Sequence, residues 1–244
     1  MKPAISKRMG KNMKKMAMMQ VAVLVITCIF LNLAWAATET PKSKRDAAAA
    51  WTEDGLQKVA IKGLDVVYVR PEASLTGYDK VLLRPISVAF RRNWEKTAVP
   101  GSNLRINPKD SQRIKDNLAG LIREEVIKQL TEGGYQLTDS SGDDVLEVNM
   151  SIIDLNVRAP NVRAANNTNI YAVSAGEMTL VAELRDSASS DAVMRIFDHA
   201  EAHETTWPRR ITSIDNIAEA RSMASAWARS LRMLLDAARG VSKP

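Results

Sequence analysis

The sequence contains a single cysteine, Cys28, among its 244 residues. Because this cysteine lies in an apolar run near the N-terminus, the chain beyond Ala36 has no thiol. That part of the chain therefore forms no disulfide, uses no thiolate nucleophile and holds no metal through sulfur. Its stability must come from its hydrophobic core.

Motifs typical of several enzyme classes are also missing. The chain has no G-x-S-x-G elbow, no P-loop and no G-x-G-x-x-G fingerprint. The first of these positions the nucleophile of many serine hydrolases, and the other two bind nucleotide phosphates. We therefore predict that the protein is not an enzyme, and that it has neither a catalytic residue nor a cofactor.

The net charge of +6 arises from 34 basic and 28 acidic residues. Six of the basic residues lie before Ala37, where no acidic residue occurs, so the remaining chain is neutral. Proteins that bind nucleic acid or anionic lipid through electrostatics need a basic surface. The charge distribution therefore predicts no nucleic-acid partner.

The first 36 residues have the pattern of a secretory signal. A basic segment is followed by an apolar run from Met16 to Leu33 and by an A-W-A tripeptide that ends at Ala36. This pattern predicts a signal peptide over residues 1–36, cleaved between Ala36 and Ala37, and a location in the periplasm or cell envelope. In the alternative interpretation the segment is retained, contacts the inner membrane and anchors a structural spacer.

Beyond the signal, the pattern predicts a leader and one domain. Residues 37–54 lack an apolar period and are interpreted as a flexible leader. Residues 55–240 contain strand-like runs and two amphipathic helices in the order β-β-α-β-β-β-α. This order predicts an α+β domain in which an antiparallel sheet carries both helices on one face.

Three local patterns refine this prediction. Pro85 falls inside the second predicted strand, residues 81–90, which indicates an edge position or a bulge. Apolar residues in the long strand over 145–157 change from even to odd positions, which indicates a bulge. The last helix is predicted to open with a capping box at Asn216 and Glu219.

The only two histidines of the chain, His199 and His203, flank Glu201. On a strand these three side chains would point to one side, as ligands for zinc with an open fourth position. Their spacing differs from the H-E-x-x-H motif of zinc proteases. We favour a polar outer face at the end of a strand and predict no metal; a metal-dependent hydrolase that uses the three residues is the alternative.

Trp207, Arg209 and Arg210 join the last strand to the last helix. Tryptophan and arginine are enriched at binding hot spots, so these residues are a candidate surface for a partner in an envelope protein complex. The simpler interpretation is a loop tryptophan that covers the core beside solvated arginines.

Several blocks of the sequence occur in a characteristic order. They are Y-V-R-P at 68–71, A-S-L at 73–75, G-Y-D at 77–79, V-L-L at 81–83, S-A-G-E-M-T-L at 174–180, E-L-R-D-S at 183–187, Asn216, A-R at 220–221, W-A at 227–228 and L-D-A at 235–237. Over residues 56–240 the chain resembles a bacterial exported family known as domain of unknown function 3313. The resemblance implies an envelope protein, often a lipoprotein, with no assigned activity and no catalytic residues.

One feature of this sequence departs from the lipoprotein members. A lipoprotein signal needs a small residue directly before its cysteine, whereas Thr27 precedes Cys28. A lipid anchor is therefore not predicted. Together, these patterns predict an exported accessory or binding domain of the periplasm or cell envelope.

Overall fold

The computed structural model describes most of the chain after residue 50. It covers residues 51–52, 54–71, 73–94, 106–158, 170–172, 176–203, 206–207 and 209–240. These residues belong to a compact unit that spans Thr40–Pro244. The predicted signal peptide, its cleavage site at Ala36 and Ala37, and residues 37–50 of the predicted leader lie outside the described residues.

The described residues form ten strands and two helices, which confirms the predicted α+β class. In chain order they are β1 (Gln57–Val59), β2 (Val66–Val69), β3 (Lys80–Leu83), β4 (Ser87–Phe90), α1 (Pro108–Glu132), β5 (Gln136–Leu137), β6 (Val145–Val157), β7 (Ile170–Ala172), β8 (Gly176–Asp186), β9 (Ala192–Glu201), β10 (Arg209–Ile211) and α2 (Ser213–Ala238). The predicted order of the main strands and helices is retained, with short strands added between them.

Eight strands form the main sheet, in which neighbours follow the order β1-β2-β9-β8-β6-β3-β5 and β4 also pairs with β6. The three long strands β6, β8 and β9 are antiparallel and occupy its centre. Strands β7 and β10 form a separate two-stranded sheet.

The sheet is mixed rather than antiparallel as predicted, because the strand pairs on one side of β6 are parallel. Strand β3 runs parallel to β5 and β6, and β4 runs parallel to β6. Parallel neighbours need a long crossover, and α1 supplies it between β4 and β6. Pro85 separates β3 from β4, so the strand predicted over residues 81–90 is two short strands.

Both helices pack on one face of the sheet. Their apolar stripes share one core with alternate residues of β6, β8 and β9. In β8 the core residues are every second residue of the strand, Met178, Leu180, Ala182 and Leu184. The side chains between them therefore face away from the helices.

Helix α1 has a regular N-terminal cap, and the bulge predicted in β6 is confirmed. The side chain of Asn107 accepts a hydrogen bond from the N–H of Asp110 and so caps α1. In β6 the pairing with β8 shifts between Ile153 and Asn156, at the position of the predicted bulge. Asp154 lies inside the bulge with a φ of 52°.

The residue that caps helix α2 is Thr212, four residues before the predicted cap at Asn216. Thr212 and Asp215 form the capping box, and each side chain accepts a hydrogen bond from the other's backbone N–H. Asp215 takes the place of the usual Glu or Gln of this motif. Asn216 and Glu219 therefore lie inside the helix.

The opposite face of the sheet is partly covered by the segment before β1. Trp51 and Leu56 are buried there against Val66, Tyr68 and Phe197. The rings of Trp51 and Tyr68 meet edge to face, with their centroids 5.6 Å apart. Trp51, in the stretch that the sequence pattern assigned to a leader, is thus part of the packed domain.

Within the part of the chain that the structure describes, neither α1 nor α2 combines the length and apolar character needed to cross a membrane.

Candidate functional site

A cavity of about 150 Å³ lies where the N-terminal halves of α1 and α2 meet the sheet. Its apolar walls come from both helices and from the adjacent strand ends: Ile114, Leu118, Leu121, Leu155, Val157, Met178, Ala202, Ile217, Ala220 and Met223. Such walls favour hydrocarbon over water. The cavity is partly open to solvent, and Ile217 at its wall is 56% exposed.

A small number of polar residues also border the cavity. They are Arg113, Asn117, Asn156, Glu177, Asn216 and Glu219. A concave apolar site with a few polar groups is the usual form of a small-molecule binding site. The cavity therefore combines a hydrocarbon-like interior with groups that can hydrogen-bond a polar end.

The bulge in β6 brings the beginning of β8 close to this cavity. After the bulge, Asn156 pairs with Glu177 in the antiparallel register. A Cβ atom at Gly176 would lie only 2.4 Å from the carbonyl oxygen of Asn156, so the close approach of the two strands requires glycine. This contact fixes the position of Glu177 at the edge of the cavity.

Glu177, His199 and Glu201 lie together where β8 begins and β9 ends. The strand register places Glu177 opposite Glu201, and Thr179 opposite His199. One ligand atom from each of Glu177, His199 and Glu201 lies within 4.8 Å of the others. Nε2 of His199 is 3.6 Å from Oε2 of Glu177.

The carboxylate of Glu177 is held by two donors. Arg91 Nη1 donates to Oε1 at 2.6 Å, and Asn156 Nδ2 donates to the same oxygen at 2.9 Å. Burial alone would raise the pKa of Glu177, but these hydrogen bonds and the charges of Arg91 and His199 outweigh it and lower the pKa below its ordinary value. Glu177 is therefore ionised at neutral pH.

His203, the third residue of the set considered in the sequence, lies outside this group. Strand β9 ends at Glu201, and Ala202 then donates its N–H to the carbonyl of Gly176 at 2.8 Å. The side chain of His203 is exposed, and its backbone N–H lies 3.5 Å from Oε2 of Glu219. The hydrolase hypothesis with His203 as a ligand stays a prediction.

Glu177 was not evident as a candidate from the sequence because it lies 22 residues before His199. Only the pairing register of β8 with β9 brings the two side chains together. The alternation of side chains in β8 could have indicated Glu177, because it places Glu177 on the same face as Thr179. It does not reveal which residue of β9 lies opposite.

The residues proposed as a partner surface lie at a different place in the fold. Trp207 is 79% exposed and thus does not cover the core. Arg209 and Arg210 belong to β10, which pairs with β7, and Arg210 is exposed. Ile214, in the first turn of α2, is 76% exposed. The interpretation of this region as a partner surface stays a prediction.

The sequence model of a family described as "Protein of unknown function (DUF3313)" matches residues 49–231. The chain belongs to this family. The matched range runs from just before Trp51 into the second half of α2, and it confirms the resemblance carried by the sequence blocks. The description of the DUF3313 family assigns no activity, so the chemistry of this member must be inferred from its geometry. No curated protein matches the chain.

Three solved bacterial structures are similar to this DUF3313 member. Protein XCC0632 from Xanthomonas campestris, of family DUF330, has a TM-score of 0.41 at 10% identity and covers 70% of this chain and 93% of its own. The PelC dodecamer from Paraburkholderia phytofirmans has a TM-score of 0.32 at 11% identity, with coverages of 66% and 98%. A minor lipoprotein from Acinetobacter baumannii has a TM-score of 0.33 at 11% identity, with coverages of 64% and 94%.

Proposed function

We propose that the protein is an exported envelope domain that binds the hydrocarbon part of a small amphipathic molecule in the cavity between α1 and α2. The observation that carries this proposal is the apolar cavity of about 150 Å³ beside the sheet. An apolar cavity of roughly this volume is large enough to accept a small hydrocarbon such as benzene. The proposed role is binding rather than catalysis.

The border of the cavity supports an amphipathic ligand rather than a pure hydrocarbon. Helix α1 contributes Arg113 and Asn117 to this border, and α2 contributes Asn216 and Glu219. Few but well-placed polar groups orient a ligand whose larger part is buried in an apolar site. A chain with a polar end would place its hydrocarbon inside and its polar group against these residues.

Titration with the neutral fluorescent probe N-phenyl-1-naphthylamine tests this proposal. We expect the probe to bind saturably, with one molecule per chain, and to be displaced by decanoate. Ala220→Leu would fill part of the cavity, because Ala220 lines it. This variant should weaken probe binding by about tenfold or more, which corresponds to a loss of ~1.4 kcal/mol.

Ala218→Leu is the matched control, because Ala218 lies on the same helix, is exposed and does not line the cavity. This variant should bind the probe as the unmodified protein does, and thermal unfolding should show that both variants fold. No saturable binding, or equal binding by Ala218→Leu and Ala220→Leu, would contradict the proposed cavity site.

The export part of the proposal depends on residues 1–36 and is tested by cell fractionation followed by intact-mass measurement. We expect the protein in the periplasmic fraction, with a mass that corresponds to a chain beginning at Ala37. A chain recovered in the membrane fraction with residues 1–36 retained would support the inner-membrane spacer. Recovery in the cytoplasm would contradict export.

An accessory role in an envelope protein complex is the remaining part of the proposal. It is supported by the exposure of Trp207 and Ile214, which places large apolar side chains in solvent near the start of α2. Exposed aromatic side chains are common anchors of protein interfaces. This surface is distinct from the walls of the cavity, so a partner and a small ligand can be bound separately.

A further inference from the structure

The cluster of Glu177, His199 and Glu201 has an arrangement that the binding of an apolar ligand does not explain. We propose that these three residues form a site for one zinc ion where β8 begins and β9 ends, next to the cavity. The ion would be bound by Oε2 of Glu177, Nε2 of His199 and a carboxylate oxygen of Glu201. Three protein ligands leave a fourth position for water.

The ligand types fit zinc better than they fit magnesium or calcium. Zinc accepts imidazole nitrogen together with carboxylate oxygen, whereas magnesium and calcium are bound by oxygen ligands. The ligand atoms of Glu177, His199 and Glu201 lie within 4.8 Å of one another. Glu201 is exposed, so its side chain can turn to close the remaining separation when the ion binds.

Hydrogen bonds already orient the histidine. Nδ1 of His199 lies 3.1 Å from Oγ1 of Thr179, a residue that is only 4% exposed. In the tautomer that donates from Nδ1 to this hydroxyl, Nε2 carries a lone pair directed toward Oε2 of Glu177. Zinc-bound histidines are usually held in this way through their second nitrogen.

The carboxylate of Glu177 is oriented by the same principle. Arg91 and Asn156 both donate to Oε1, which leaves Oε2 as the oxygen that faces His199. Donors of this kind fix a ligating carboxylate in position. Arg91 also brings a positive charge near the site, but the two carboxylates of Glu177 and Glu201 exceed it.

The test is calorimetric titration of the purified, chelator-treated protein with zinc chloride. We expect one ion per chain, a rise in the midpoint of thermal unfolding with zinc, and no comparable binding of magnesium or calcium. Glu177→Gln and His199→Ala should each weaken zinc binding by about 100-fold or more, since each removes a ligand. Thr179→Val should weaken it by roughly 10- to 100-fold, the range for loss of an orienting partner.

His203→Ala is the matched control, because it removes the other histidine of the chain, which lies outside the cluster. This variant should bind zinc as the unmodified protein does. Loss of binding in His203→Ala together with normal binding in Glu177→Gln would overturn the proposal. Absence of saturable zinc binding by the unmodified protein, or equal binding of calcium, would also overturn it. Probe binding in the cavity is measured separately, so the two proposals can fail independently.

Discussion

Replacement of Glu183 by leucine is expected to destabilise the domain by about 3 kcal/mol or more. Glu183 and Arg195 lie directly opposite each other in β8 and β9, and their side chains form an ion pair. The side chain of Arg195 is only 6% exposed, and that of Glu183 is 13% exposed. Loss of the carboxylate would leave a buried guanidinium with Asp54 as its remaining acidic partner, and Asp54 is 49% exposed.

The double variant Glu183→Leu with Arg195→Met separates two contributions to the free energy of unfolding. One is the cost of a buried charge without its partner, and the other is the contribution of the ion pair itself. Replacement of both partners by apolar side chains of similar size is often neutral. Arg185, whose side chain is 26% exposed, also pairs with Glu183. The double variant should therefore recover most of the stability lost in Glu183→Leu, but not the part that depends on Arg185. Lys80→Met is the control, because Lys80 and Asp144 form a solvent-exposed pair whose loss should affect stability far less. Urea unfolding measures all three variants. If Glu183→Leu lowered the free energy of unfolding by no more than Lys80→Met does, the buried pair would not be important for stability.

The second large effect is expected at Trp227 in α2. Its ring is 4% exposed in the core, and its Nε1 donates to Oδ2 of Asp198 at 2.7 Å. The other oxygen of Asp198 accepts the backbone N–H of Asp65 at 2.7 Å. Trp227→Ala should therefore cost about 3–5 kcal/mol, because it empties a core position and removes a donor from a buried carboxylate.

Trp227→Phe separates these two contributions. Phenylalanine retains an aromatic ring but has no indole N–H, so this variant should lose about 1–3 kcal/mol through the unsatisfied Asp198 oxygen. The free energy of unfolding from urea titration gives both values. A Phe variant as stable as the unmodified protein would show that the hydrogen bond contributes little, and an Ala variant no worse than Phe would contradict the packing role of the ring.

The contact between Trp227 and Asp198 also concerns the proposed zinc site. Asp198 immediately precedes His199 and points to the helix face, whereas His199 points to the opposite face. The contact thus anchors the strand that carries His199 to α2. Destabilisation of Trp227 variants should accordingly be measured before any change in their zinc affinity is interpreted.

Elements with long, regular patterns were predictable from the sequence. The strand over residues 145–157 is confirmed, because it has enough residues to define an apolar period. The short strands β3 and β4 have four residues each, too few to reveal their direction. They pair in parallel with β6 because α1 carries the chain back across the sheet before β6 begins. The local sequence of β3 and β4 does not show this.

The candidate sites were less predictable because they depend on contacts between distant residues. The sequence suggested His199 and Glu201 by proximity, but the position of Glu177 depends on strand register and on the close approach at Gly176. The amphipathic pattern of the last helix indicates one apolar face, on which Ile217 and Ala220 lie. It did not reveal that the space between them and α1 is left open as a cavity.

Photoaffinity labelling shows most directly whether an apolar ligand binds between the two helices. A decanoate derivative with a diazirine at its hydrocarbon end would be bound and irradiated, and the labelled residues identified by tandem mass spectrometry. We expect labelling at residues that line the cavity, such as Leu121, Ile217 and Met223, and its suppression by excess decanoate. Labelling centred on the exposed side chains of Trp207 and Ile214, or unaffected by decanoate, would contradict binding in the cavity.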